Sequence, residues 1–240
     1  MLLETELVPY SLSMPPGERV VVLAPHPDDE TLGMGGSLRI LTESGKKVKV
    51  VILTAGEKAD PKVTEKQEYS STRKKEALKA FKMLGVTDYD FLGFPDRELL
   101  VNIDKVQSAV HAIVAAFHPD VIYSPSLIEL NPDHRIAAQI SSALSSAMDC
   151  RCIFYEVATP LRPNILVDIS KLFKFKRKAV KCYKSQLKIT DYLRIIEALN
   201  SYRSLTLGRT VLFAEAFWEV GTGESDEELG KWLSYKSTIM

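Results

Sequence analysis

The chain is expected to fold as an α/β protein, a mostly parallel sheet with helices on both faces. Three observations predict this. Short β-branched apolar runs alternate with longer segments of helical periodicity. Glycines stand where those helical segments stop. The apolar runs are continuous rather than alternating, as strands buried on both faces require. Right-handed crossovers then bring the C-terminal ends of the parallel strands to one rim.

The elements follow in order. Arg19 to Ala24 (RVVVLA) reads as a buried strand. Leu32 to Ser44 reads as a helix stopped by Gly45, and Lys47 to Leu53 (KVKVVIL) as the second strand. Thr54 to Thr64 is polar and carries Gly and Pro, which predicts a loop. A long helix runs from about Glu65 to Leu84, with Gly85 as its stop. Tyr89 to Leu92 is a short strand, and Phe94-Pro95-Asp96-Arg97 lies in the loop after it. Ile103 to Phe117 is apolar at helical spacing and leads to a strand at Asp120 to Ser124. Asp133 to Met148 is the next helix and Cys152 to Val157 the next strand. Ile165 to Ile169 and Thr210 to Trp218 are strand-like pieces around a helical stretch, Lys171 to Ser204. The polar segment after Val220 is expected to be a tail or a short docking helix.

Length and composition narrow the class. The 240 residues suit a single domain over 1–240, with a core at about 20–220, an N-terminal arm and a polar C-terminal tail. Thirty-one basic residues balance thirty-one acidic ones, which argues against a nucleic-acid footprint. The basic stretch Lys171 to Lys184 reads as a solvated helix face. No apolar run approaches the about 20 residues that span a bilayer. The N-terminus carries early acids and no basic region, unlike a secretion signal. Three cysteines, Cys150, Cys152 and Cys182, form no disulfide framework, which favours a reducing compartment. A cytoplasmic protein is the expectation, and a homo-oligomer is compatible with it.

Chemistry concentrates in Ala24-Pro25-His26-Pro27-Asp28-Asp29-Glu30, where a buried strand ends in an imidazole and three consecutive carboxylates. Uncompensated charge at that point is costly to desolvate, so the cluster calls for a strong partner such as a divalent metal. Ligands of open α/β sheets bind outside the carboxyl ends of the strands, which sorts the four histidines. His26 follows the first strand, and His134 lies in the loop after Asp120 to Ser124. His118 precedes that strand, at the opposite edge, and His111 lies within a helix. Two His and one Asp leave an open position, as in zinc hydrolases; the same set suits Fe2+ in oxygen chemistry. The additional carboxylate favours hydrolysis, one Asp binding metal while the other takes the proton of water whose pKa the metal lowers toward about 7. Spacing does not say which of Asp28 and Asp29 does which. Gly33, Gly35 and Gly36 do not form a nucleotide fingerprint and fit close helix–sheet packing better.

His26-Pro27-Asp28-Asp29-Glu30 together with Pro132-Asp133-His134-Arg135 resembles the PIG-L/LmbE-like N-deacetylases. Arg73-Lys74-Lys75-Glu76, Gly93-Phe94-Pro95-Asp96, Lys184-Ser185-Gln186 and Glu215-Ala216-Phe217 extend the likeness across roughly Val20 to Val220. The resemblance implies a Rossmann-like fold and zinc-dependent hydrolysis of an acetamido group on a sugar. It assigns His26, Asp29 and His134 to Zn2+ and Asp28 to general base. It places Arg73 on the substrate sugar or its phosphate and Asp96 near the sugar or leaving group. Asp133 is expected to orient a neighbour rather than bind metal. Family members often carry His where this chain has Asn131, at the position that stabilises the oxyanion. Asparagine donates a hydrogen bond there but supplies no proton or positive charge.

The main expectation is therefore an N-deacetylase acting on an N-acetylglucosamine-type sugar or conjugate. Two alternatives stand beside it. One is a metal-dependent amide hydrolase on another N-acyl substrate, such as a thiol-cofactor precursor or antibiotic intermediate. The other is a non-catalytic sugar-binding module, for which Asn131 is the main support.

Overall fold

The apolar runs become the strands of one seven-stranded sheet in the order β3-β2-β1-β4-β5-β7-β6. The computed structural model describes residues 8–220. Along the chain lie β1 (Arg19–Ala24), α1 (Asp29–Glu43), β2 (Lys47–Thr54), α2 (Lys66–Leu84), β3 (Asp88–Phe94), α3 (Ile103–Phe117), β4 (Val121–Pro125) and α4 (Pro132–Met148). They are followed by β5 (Arg151–Tyr155), β6 (Ile165–Asp168), α5 (Phe173–Val180), α6 (Lys184–Leu187), α7 (Tyr192–Tyr202) and β7 (Ala214–Glu219). β1 to β5 are parallel, and β7 runs antiparallel between β5 and β6. The expected α/β class, with a mostly parallel sheet, is the observed one.

β1 sits at the centre because its side chains suit burial on both sides. Val20, Val22 and Ala24 pack in one core with residues of α1, α2 and α5, while Val21 and Leu23 pack in another with residues of α3 and α4. Period-2 alternation of an all-apolar strand thus feeds two cores at once. The chain winds from β1 out to β3, then returns to place β4 on the other side of β1. The crevice at the C-terminal ends of β1 and β4 is the switch point, where open α/β sheets hold ligands.

Several boundaries differ from expectation. α1 begins at Asp29, not Leu32, so Asp29 and Glu30 occupy its first turn, where negative charge is favoured. The stretch Lys171 to Ser204 is three helices, and β7 starts at Ala214 rather than Thr210. The expected C-terminal tail lies outside the described residues. Gly33 and Gly36 are packing glycines: a Cβ on Gly33 would lie 2.2 Å from Tyr155 Cδ2, and one on Gly36 would lie 2.5 Å from Ile169 Cγ2.

The basic stretch is not wholly a solvated face. Lys176 is fully buried, and its Nζ lies 2.7 Å from Glu215 Oε1. The Glu215 carboxylate also accepts from Gly36 N (2.8 Å) and Ser37 N (2.7 Å), just past the kink at Met34 in α1. The kink gives the second half of α1 its own N-terminal amides, and a buried carboxylate caps them. Removing one partner of a buried pair leaves an uncompensated charge. Lys176→Met is accordingly expected to lower unfolding stability by about 3–5 kcal/mol in urea titration. Lys178→Met, on the exposed side of α5, is expected to stay within about 0.5 kcal/mol.

Candidate active site

The turn between β1 and α1 is built by its own short-range bonds. Pro25 and Pro27 restrict the backbone on either side of His26. Pro25 O accepts from Thr54 N (2.9 Å) and Thr54 Oγ1 (2.8 Å), tying the turn to the end of β2. Asp29 Oδ2 accepts the backbone N–H of His26 at 2.9 Å, which folds the Asp29 carboxylate back over the imidazole. Asp28 carries the strain of this reversal, with φ 152° and ψ −25°. Such unusual backbone geometry persists where the surroundings over-determine it, often at functional sites.

The second half of the site comes from the start of α4. Asn131 is the N-cap, its Oδ1 accepting Asp133 N at 2.9 Å, and Pro132 opens the first turn. His134 therefore enters in the first turn, aimed across the switch point. Its Nε2 lies 3.2 Å from Asp29 Oδ2 and 3.3 Å from His26 Nδ1, while His26 Nδ1 lies 3.0 Å from Asp29 Oδ2. All three side chains are buried.

These three atoms form a triangle with sides of 3.0–3.3 Å. Tetrahedral bonds of about 2.0–2.1 Å from His and carboxylate ligands to zinc place donor atoms about 3.3 Å apart. The donor set therefore fits a divalent metal both in ligand chemistry and in spacing. Electrostatics agree. Burial pushes the Asp29 carboxyl up, but His134 and His26 override it and hold it below the usual carboxylate range. Burial pushes His134 down, yet Asp29 lifts it to about 9, and His26 likewise is raised well above its ordinary value. The carboxylates demand positive charge at this point.

The remaining expected residues surround this triangle. His26 Nε2 faces Asp96 Oδ1 at 3.1 Å and Asp133 Oδ2 at 3.5 Å, on the side away from the triangle. A carboxylate on the far nitrogen of a ligating histidine fixes its orientation and raises its basicity. Asp96 lines the cavity, and its Oδ2 accepts Lys58 N at 3.0 Å. Asp133 accepts Arg97 N (2.6 Å) and Leu99 N (3.2 Å), pinning the loop that carries Asp96.

Arg73 reaches the turn between β1 and α1 from α2. It sits well inside α2, is 2% exposed, and donates to Gly56 O (2.9 Å) and Pro27 O (3.0 Å). Its Nη2 lies 3.0 Å from Asp28 Oδ1. Held this way, the guanidinium clamps Asp28 while Arg73 also lines the cavity, its buried Nε without a hydrogen-bond partner. Gly56 makes room for it, at φ +65°, since a Cβ there would lie 2.2 Å from Arg73 Nη1. Burial raises the Asp28 carboxyl and Arg73 pulls it partly back, leaving it at about 6.

Other residues carry weight that sequence alone did not reveal. Buried Glu129 accepts Val157 N (2.8 Å) and Thr159 N (3.1 Å), and its Oε2 faces His134 Nδ1 at 3.5 Å. Tyr192 lines the cavity, its phenol pushed up to about 12 by burial and then by Asp28 and Asp29. Gln186, within a segment that carries the resemblance, lines it too. Nothing in the local pattern of Glu129 or Tyr192 marks either. His111 is exposed on α3, and His118 is the left-handed C-cap of that helix, so neither joins the site. Cys152 packs buried in β5, its Sγ 3.1 Å from Ser141 Oγ.

The whole opens into a cavity of about 280 Å³. No helix among the described residues is long and apolar enough to cross a membrane.

Comparison with known proteins gives the chain its family. The PIG-L family model, described as GlcNAc-PI de-N-acetylase, matches residues 21–145. The diacetylchitobiose deacetylase of Thermococcus kodakarensis is 29% identical over 192 residues, 70% of each chain. A probable N-acetyl-alpha-D-glucosaminyl L-malate deacetylase of Bacillus cereus is 28% identical over 183 residues, 70% of this chain and 83% of that one. The crystal structure of a conserved Thermus thermophilus protein superposes with a TM-score of 0.72 at 27% identity, covering 83% of this chain and 93% of that one. The match spans β1 to α4, the segment that supplies His26, Asp28, Asp29 and His134. The chain belongs to the PIG-L (GlcNAc-PI de-N-acetylase) family of amide-hydrolysing deacetylases.

Proposed function

We propose that this chain is a zinc-dependent N-deacetylase acting on an N-acetylglucosamine-type sugar, free or carried on a conjugate. The observation that carries the reading is the convergence of His26 Nδ1, Asp29 Oδ2 and His134 Nε2 beside the clamped carboxyl of Asp28. The amino-sugar substrate is supported by the names of the relatives, and by a cavity near the small end of ligand pockets, about 300 Å³.

His26, Asp29 and His134 would hold the metal. Bound there, zinc supplies a Lewis acid and lowers the pKa of its water toward about 7. Asp28 takes the proton from the attacking water and returns it to the departing amine, as the C–N bond breaks and acetate forms. A carboxyl raised to about 6 is basic enough to accept that proton and acidic enough to give it back. Arg73 and the strained turn keep Asp28 in one orientation throughout. Asn131 commits Oδ1 to the α4 cap, so its amide presents Nδ2 as the donor end toward the acyl oxygen. Asp96 and Asp133 hold the ring of His26 in place. Tyr192 stays protonated and supplies a further donor at the cavity wall.

A second reading, an amide hydrolase on a longer N-acyl group, is favoured by Leu130 and Ile189. These line the cavity while 77% and 47% exposed. A panel separates the two readings: zinc-reconstituted protein is assayed for amine release from N-acetyl and N-hexanoyl glucosamine conjugates. The deacetylase reading expects release from the N-acetyl compounds at least equal to that from the N-hexanoyl ones. Preference for the long chain would select the second reading, and no release from either would contradict both.

Two further outcomes follow from the roles. Zinc stoichiometry, measured by atomic absorption after dialysis, is expected to fall from one to near zero in Asp29→Ala and His134→Ala. In Asp28→Asn it is expected to persist while turnover drops about 10²–10⁴-fold. Asn131→Asp keeps the cap acceptor but loses the donor. It is expected to retain its melting temperature and lose about 10²–10³ in kcat; unchanged kcat would remove Asn131 from the reaction.

A further inference from the structure

Two imidazoles carry the metal triangle, and each ring nitrogen needs a partner. For His26 both are placed: Nδ1 faces Asp29, and Nε2 faces Asp96 and Asp133. For His134, Nε2 lies 3.2 Å from Asp29 Oδ2. Its Nδ1 is buried and makes no hydrogen bond among the described residues, a state that buried polar atoms seldom keep. The carboxylate facing that atom is Glu129, with Oε2 at 3.5 Å. An N–H···O bond is usually about 2.9 Å long, so a movement of about 0.6 Å closes the gap.

Glu129 is fully buried in the loop between β4 and α4, and its carboxylate is divided between two tasks. Oε1 accepts three successive backbone N–H groups, those of Val157 (2.8 Å), Ala158 (3.1 Å) and Thr159 (3.1 Å). Val157 and Ala158 line the cavity, so this oxygen fixes part of its wall. Oε2 is the end turned toward the imidazole. A carboxylate accepts and does not donate, so the ring nitrogen facing it has to carry a proton. With the proton on Nδ1, the lone pair of Nε2 points toward Asp29 and the triangle.

We infer that Glu129 is a positioning residue for His134: it holds the proton on Nδ1, which leaves Nε2 as the ligand atom, and it ties that ligand to the cavity wall at 157–159. The inference rests on the metal reading of the site and adds the group that selects the ligand nitrogen. Holding the wall requires only Oε1. Glutamine would hold it as well, with its carbonyl oxygen in the place of Oε1. Its amide NH2 would then face His134 Nδ1 and require an acceptor there. That drives the ring proton to Nε2, the atom that has to be bare. Glu129→Gln therefore keeps the wall and reverses the tautomer, which separates the two tasks.

The test is the zinc affinity of the full chain, measured by competition with a chromophoric chelator, in wild type and Glu129→Gln. Long-range nitrogen–proton correlation spectra of the histidine rings are recorded on the zinc-loaded proteins. Glu129→Gln is expected to bind zinc about 10- to 100-fold more weakly, with the circular dichroism of the wild type. The wild-type spectrum is expected to show a His134 Nδ1 proton protected from exchange, and Glu129→Gln to lose it. Equal zinc affinities in wild type and folded Glu129→Gln would overturn the inference. So would a wild-type spectrum in which Nδ1 binds the metal or its proton exchanges freely, a result that stands even where Glu129→Gln does not fold. Equal affinities contradict the role of Glu129 alone, whereas a wild type that binds no zinc contradicts the metal reading as well.

Discussion

One carboxylate oxygen organises the site. Asp29 Oδ2 faces the backbone N–H of His26, the Nδ1 of the same residue and the Nε2 of His134. The first contact is local and shapes the turn, whereas the third reaches across the sheet to the start of another helix. A buried carboxylate with two imidazoles at hydrogen-bonding distance is an electrostatic commitment that the fold must support. The apolar strands on either side supply the rigidity. β1 and β4 are neighbours in register, so the loops leaving them are held at a set separation.

Around that oxygen, each loop is fixed by a buried polar group of another element. Arg73 of α2 ties the turn after β1 to the loop after β2 through Pro27 O and Gly56 O. Asp133 of α4 holds the loop after β3, and Glu129 of the loop after β4 holds the segment after β5. The rim is therefore a ring of loops cross-linked by charge-assisted hydrogen bonds to backbone amides and carbonyls, which are stronger than neutral ones. Preorganisation of this kind would hold Asp28 and Asn131 in place for the roles proposed for them, without reorganisation during the reaction. It also explains strain at Asp28, since its backbone is held from outside by the ring.

Much of this was legible from residues alone where the signal is periodic or local. β1, β2 and α3 are read from apolar spacing, and Gly85 stops α2 where a left-handed cap is needed. The rim rule separates His26 and His134 from His111 and His118. The illegible part consists of residues whose meaning lies in distant partners. Lys176 looks like one more cation in a basic stretch until Glu215, 39 residues on, is packed against it. The clamp that Arg73 makes is invisible in sequence because its acceptors are two backbone carbonyls in other loops. Glu129 and Tyr192 sit in segments with no pattern of their own. α1 starts three residues before the apolar spacing places it, because Asp29 and Glu30 carry no apolar signal yet occupy its first turn.

Everything proposed for the site depends on His26, Asp29 and His134 together forming a metal centre with an open position. X-ray absorption at the zinc edge, on protein reconstituted with one equivalent, tests it most directly. Two imidazole ligands and a shell of nitrogen and oxygen donors at about 2.0–2.1 Å are expected, with loss of an imidazole signature in His134→Ala. A sulfur shell at about 2.3 Å, or a spectrum unchanged in His134→Ala, would place the metal elsewhere and contradict it.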